Sequence, residues 1–146
     1  MPGVEVEEAT EVTEELLEAF VRLVPQLSRS APPPGRHELA DMLDSPSISV
    51  LMARDAAGTL VGSLTLVIFR IPTGVRAIIE DVVVDTSARG AGAGTALTEA
   101  ALATAARAGA RTVDLTSRPS REAANRLYQQ LGFERRETNV YRYSFP

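Results

Sequence analysis

Residues Glu80–Gly109 read EDVVVDTSARGAGAGTALTEAALATAARAG, and this stretch decides the fold. A β-branched run, Val82 to Val84, gives way to three alternating glycines, Gly90, Gly92 and Gly94, and then to a long alanine-rich segment. Each glycine costs backbone entropy on folding, and a plain turn has no use for three. A strand feeding a glycine loop that opens a helix is the usual arrangement of an anion site. Unpaired N–H groups of the helix's first turn, reinforced by its dipole, can hold phosphate oxygens, and glycine lets those oxygens reach the main chain. The alternative is a small-residue loop that merely packs helix against sheet. Two familiar phosphate loops are excluded by residue type. A dinucleotide fingerprint counted from Gly90 requires glycine at position 95, which is Thr95. A P-loop requires a lysine, and the chain has none.

Working outward, the absences are informative. The chain has no cysteine, so disulfides, thiolate metal sites and cysteine acyl-enzymes are excluded. His37 is its one histidine, which argues against histidine-built zinc sites and against a Ser-His-Asp triad. All 15 basic residues are arginine, which rules out lysine Schiff bases. No metal is expected. Any catalysis must come from carboxylates, tyrosine and backbone amides. Net charge is −4, which disfavours general nucleic-acid binding. Residues 1–88 carry 6 Arg against 14 acidic residues, whereas residues 89–146 carry 9 Arg against 5. That split suits a cationic acceptor and a phosphate-bearing donor; scatter over solvated faces is the plainer account. No apolar run is long enough for a membrane span, and the acidic start lacks the order of a secretory signal, so a cytoplasmic protein is expected. A length of 146 residues fits a single domain, 1–146.

The remaining elements follow from periodicity. Val4 to Glu8 reads as a short strand. Thr13 is a candidate N-cap for a helix carrying Leu16, Leu17, Phe20, Val21, Leu23 and Val24. SRSAPPPG at 28–35 is a loop, and a short helix follows it and ends before Pro46. SISVLMARD and TLVGSLTLVIFRI read as two strands joined by a DAAG turn, and TG at 73–74 turns the chain into a third, VRAIIEDVVVD. Beyond the glycine loop come a helix closed by Gly109, a strand RTVDLTS, and a helix capped by Ser120 that ends at Gly132. The tail ERRETNVYRYSF reads as one or two strands. The expected class is α+β: a mixed, mostly antiparallel sheet with helices on its faces and a parallel β-α-β crossover at the glycine loop.

At this point the sequence resembles the GCN5-related N-acetyltransferase (GNAT) family, which transfers acetyl from acetyl-CoA to an amine. The family's phosphate signature, Gln/Arg-x-x-Gly-x-Gly/Ala, is matched in full by Arg89-Gly90-Ala91-Gly92-Ala93-Gly94. A second signature, Asn-x-x-Tyr before Gly-Phe, appears as NRLYQQLGF, Asn125 to Phe133. The match is concentrated between Glu80 and Phe133, with residues 1–70 agreeing in outline.

The resemblance implies a set of roles. Acetyl-CoA is the donor. Its pyrophosphate rests on the main chain of Arg89, Gly90, Ala91, Gly92, Ala93, Gly94 and Thr95, with the Thr95 hydroxyl and Arg89 side chain as additional contacts. Its pantetheine arm pairs with the backbone of Val82, Val83 and Val84, on a strand that splays from its neighbour beyond Ser117. Asn125 holds that arm, and Tyr128, one turn later, protonates the leaving sulfur; the alternative for Tyr128 is a core aromatic. Glu80 is the general base, directly or through water, unless it is a surface carboxylate paired with Arg70 or Arg76. Strand alternation puts Glu80, Val82 and Val84 on one face and Asp81 on the other, with Asp81 as an acceptor contact, unless a bulge intervenes. His37 reads as a surface or capping residue. The acceptor is expected to be a small-molecule primary amine attacking directly. A lysine or N-terminal acetyltransferase, a non-catalytic acyl-CoA sensor and a small interaction domain are the competing readings. A homodimer paired through an exposed C-terminal strand is the expected assembly if there is one.

Overall fold

The computed structural model describes residues 3–146, and they form two compact units that divide between Leu115 and Thr116. The first unit holds a five-stranded sheet with strands in chain order: β1 (Glu5–Glu8), β2 (Ile48–Arg54), β3 (Leu60–Ile71), β4 (Gly74–Val84) and β5 (Val113–Asp114). Three neighbouring pairs are antiparallel and the last, β4 with β5, is parallel. Between β1 and β2 come helices α1 (Glu14–Leu27) and α2 (Arg36–Asp44), and α3 (Ala93–Arg107) makes the crossover from β4 to β5.

Local chemistry explains the element boundaries. Thr13 caps α1, its side-chain oxygen accepting from the Leu16 N–H at 3.1 Å. Glu38 reaches back to the Gly35 N–H at 2.8 Å and fixes the start of α2. α1 presents Leu16, Ala19, Phe20 and Leu23 to one sheet face. There they join Leu39 of α2, Val50 and Met52 of β2, Leu60 of β3 and Val83 of β4. Each leucine buried to this extent contributes about 1.5–3 kcal/mol. Arg54 staples this layer at its edge, donating to Glu7 and Glu15 and to the Gly58 carbonyl, so that one guanidinium ties β1, α1 and the β2–β3 turn together.

α3 covers the opposite face with a stripe of period four, Ala93, Leu97, Ala101 and Ala105, all buried. Small residues let it lie close to the strands, and Gly62 is what the closeness requires. A Cβ at Gly62 would stand 3.1 Å from Leu97 Cδ1 and 3.2 Å from the Val83 carbonyl oxygen.

Three expectations are corrected. The strand expected over 111–117 pairs with β4 at only two residues, Val113 and Asp114. The tail from Glu134 to Pro146 forms no strand, and Val140, Tyr141, Tyr143 and Phe145 stay exposed. An alternating pattern makes a strand only where an edge is there to receive it. In the second unit α4 (Glu122–Gln130) is capped by Arg121 rather than Ser120, with no side-chain cap.

Gly62→Ala should destabilise the protein by about 1–3 kcal/mol, because the Val83 main chain cannot yield to an added methyl. Urea denaturation reads this directly, and an unchanged midpoint would show that α3 has slack above β3.

Candidate active site

The site residues of the first unit are set by β4. Its register against β3 pairs Thr65 with Glu80 and Ser63 with Val83, so Leu64 faces two residues, Asp81 and Val82. This is a β-bulge, and it sits in the middle of the motif. Asp81 bears the strain with φ +50, the one non-glycine residue at positive φ among the described residues. The bulge overturns simple alternation. Glu80 shares its face with Val83, on the α1 side, while Val84 pairs with Gly62 and looks toward α3.

β4 also leaves one edge free. Its ladder with β5 ends at Ile78 opposite Asp114, so from Ile79 to Val84 only the β3 edge is paired. The separation begins at Asp114, earlier in the chain than the expected Ser117. The freed groups lie on residues 79–84, where an extended ligand could add as a strand.

Beyond Val84 the chain is held before it reaches the glycines. The Asp85 N–H donates to the Val61 carbonyl at 2.7 Å, and the Asp85 carboxylate accepts from the N–H and Oγ of Ser87. Those bonds hold the Asp85 carboxyl below the ordinary aspartate range, with Gln26 and Arg22 adding to the effect. α1 clamps the same turn: Arg22 pairs with Asp85 at 3.3 Å and donates to the Leu60 carbonyl, and Gln26 Oε1 accepts from the Thr86 N–H at 2.9 Å. The two side-chain tethers from α1 to residues 85 and 86 are not legible in the sequence, because their partners lie 63 and 60 residues apart.

Gly90 and Gly92 adopt φ +88 and +91, and a Cβ on either would meet nothing within 4 Å. Packing therefore does not explain them; a left-handed backbone in front of open space does. Gly92 is the N-cap of α3 and offers no side chain to the first-turn amides, so the N–H groups of Ala93, Gly94 and Thr95 have no side-chain cap among the described residues and could serve a ligand. Gly94 lies within the helix, and its carbonyl accepts from Thr98 Oγ1. Arg89 is exposed and Thr95 half-buried.

Glu80 and Asp81 are both exposed, and among the described residues Glu80 makes no ion pair. Arg76, its expected surface partner, instead donates to Thr73 and Thr112. His37 lies on the surface beside Asp41. No group of three His, Asp or Glu side chains that could hold a metal exists among the described residues, and none of their helices is long and apolar enough to cross a membrane.

In the second unit, Asn125 and Tyr128 lie one turn apart on α4. Asn125 spends its amide NH2 on the carbonyls of Arg118 and Arg121, at 2.9 and 2.8 Å, which shapes the turn before the helix and leaves Oδ1 to accept. The Tyr128 ring is 7% exposed and packs edge-on against Phe133 with centroids 5.7 Å apart. It is thus a buried aromatic. Its hydroxyl is nevertheless not among the buried groups lacking a partner, a condition met by Ser117 Oγ. Burial pushes the Tyr128 phenol up from its ordinary value, against a weaker pull from Arg121. The orphaned Ser117 hydroxyl carries no signal in the sequence.

Comparison with known proteins gives a consistent result. The model of the acetyltransferase (GNAT) family matches residues 10–133. An acetyltransferase of Trypanosoma brucei is 30% identical, with a TM-score of 0.77 over 97% of this chain and 99% of that one. An aminoglycoside acetyltransferase from an uncultured soil metagenomic sample shares the fold at TM-score 0.84 and 20% identity, over 98% and 96% of the two chains. Glucosamine-6-phosphate N-acetyltransferase of Arabidopsis thaliana does so at 0.81 and 17%, over 96% and 97%. No curated protein sequence matches.

Asp81→Val should cost about 1–3 kcal/mol, since a β-branched residue tolerates positive φ poorly, whereas Asp81→Gly should be close to neutral. Equal midpoints for the two variants in urea would mean that the bulge is not strained.

Proposed function

The chain belongs to the acetyltransferase (GNAT) family, and from that premise we propose that it transfers acetyl from acetyl-CoA to a primary amine of a small molecule by direct attack. The observation that carries this reading is β4, a strand with one bare edge that runs through a tethered turn into an uncapped, glycine-opened helix. Such a strand can hold an extended thioester arm and a diphosphate in sequence. The like-folded proteins named for aminoglycosides and glucosamine-6-phosphate support an amine on a small molecule. The family match runs through both compact units, which supports 1–146 as one acetyltransferase domain.

The residues divide the work as follows. Main-chain groups of Val82, Val83 and Val84 receive the pantetheine arm, and the amides of residues 89–95 receive the diphosphate, with the Thr95 hydroxyl beside them. Asn125 contributes by accepting through Oδ1, since its donors are spent. Glu80 takes the proton from the acceptor nitrogen as that nitrogen forms its bond to the acetyl carbon. The carbon–sulfur bond breaks, and Tyr128 Oη supplies the proton to the departing sulfur. Asp81 adds a carboxylate on the acceptor side.

Glu80→Gln and Tyr128→Phe should each lower kcat about 10²–10⁴-fold with little change in acetyl-CoA affinity. Release of coenzyme A thiol, with amines and peptides offered in parallel, measures the first, and calorimetry the second. If neither substitution slows transfer to a confirmed acceptor, the assigned roles are wrong. Because the Tyr128 phenol sits above its ordinary value of 10.0, this group should cause no fall in kcat below that pH. A fall centred well below it that disappears in Tyr128→Phe would contradict the acid role.

We also propose that a second copy of the chain covers the tail, where Tyr141, Tyr143 and Phe145 alternate at 80–87% exposure. Sedimentation should give a dimer that Tyr141→Ser, Tyr143→Ser and Phe145→Ser together convert to monomer. A monomeric parent protein would refute it.

A further inference from the structure

The sheet face that carries Glu80 has a definite chemical character. Cross-strand partners share a face with Cβ atoms about 4.5–5.5 Å apart, so the register defines rows across it. Glu80 lies in a row with Thr65 and Val50. The next row outward is Ile78, Val67 and Ile48, three aliphatic side chains from three strands. Beyond it stand Arg76 and Phe69. Val50 is buried beneath the helices, whereas Thr65, Val67, Phe69, Ile78 and Ile48 are half-buried and Glu80 is exposed. α1 and α2 bury the other end of this face, at Leu60, Val83, Val50 and Met52.

Rows two residues apart along a strand are separated by about 7 Å. An amine held at Glu80 therefore extends its substituent onto an aliphatic band within the length of a two-carbon linker and a ring. The carboxylates here lie at one end, Glu80 with Asp81 beside it in the bulge, and neither β3 nor β4 places another over the aliphatic band. The next charge is Arg76, held in place by Thr73 and Thr112 and of the wrong sign for a second ammonium. A polycation laid along the face would strip water from a charge over Val67 and Ile78 and offer it no partner.

Resting on the acetyltransferase reading, we propose that the acceptor is a monoamine with an aryl or alkyl body, whose nitrogen meets Glu80 and whose apolar part lies on Ile78, Val67 and Ile48. This separates the chain from the polycationic and sugar acceptors for which some of its structural neighbours are named.

The test is a kinetic comparison of phenethylamine and hexylamine with spermidine, kanamycin and glucosamine, read by coenzyme A release from the full chain. kcat/KM for the two apolar amines should exceed that for the others by about tenfold or more. Val67→Asp should abolish that preference through KM. Val67→Ala, which keeps the strand intact, should raise the KM for phenethylamine about three- to tenfold. Acetyl-CoA affinity by calorimetry should stay unchanged in both. Preference for spermidine, kanamycin or glucosamine, KM values indifferent to both substitutions, or turnover of none of these amines by a protein that binds acetyl-CoA would overturn the inference. Absence of acetyl-CoA binding would instead overturn the enzyme reading on which it rests.

Discussion

The structure depends on one strand meeting two incompatible demands. β4 must be bonded to β3 along its length to belong to the sheet, yet must leave its other edge open to receive something else. The chain resolves this by making the parallel partner minimal. β5 contributes two paired residues, opposite Ala77 and Ile78, and from Ile79 to Val84 that edge of β4 carries no ladder partner among the described residues. An unpaired edge of backbone donors and acceptors is ordinarily a liability in a folded protein. Here it leads through a tethered turn to a helix start with no side-chain cap.

The position of that helix start follows from packing on the other side of the sheet. α3 can sit close to β3 because its buried stripe is mostly alanine and because residue 62 has no side chain. The loop between β4 and α3 then has little freedom, and α1 removes more of it through Arg22 and Gln26. Left-handed glycines complete the connection without steric cost. The bulge at Asp81 adds the last element: it rotates the strand so that Glu80 and Val83 share the α1 side. Val84, one residue further on, looks toward α3 instead.

Much of this was legible in the sequence because the signals were local. Thr13 announced a helix start, Gly109 and Gly132 announced ends, and Gly90 and Gly92 announced a loop of unusual backbone; all four glycines adopt positive φ. The order of elements through α3 was likewise readable from periodicity. What escaped depends on partners distant in sequence. The bulge exists only relative to β3, and nothing in EDVVV distinguishes a bulged strand from a regular one. The extent of β5 depends on how far β4 stays beside it, not on the β-branched character of its residues. The tail alternates like a strand, yet none of residues 134–146 is in one. Tyr128 could be read from the sequence as an acid or as a core aromatic, and its burial, the deepest on its helix, is set by partners such as Phe133.

In the proposed function, main-chain amides at the start of α3 grip a diphosphate and so aim a thioester along β4. Calorimetric titration with acetyl-CoA and with S-acetylpantetheine, which carries the same thioester and arm but no diphosphate, tests it most directly. The account predicts binding of acetyl-CoA and a loss of at least about tenfold in affinity for the truncated donor, the worth of one charge-assisted hydrogen bond or more. Equal affinity for the two donors, or no binding of acetyl-CoA at all, would contradict it.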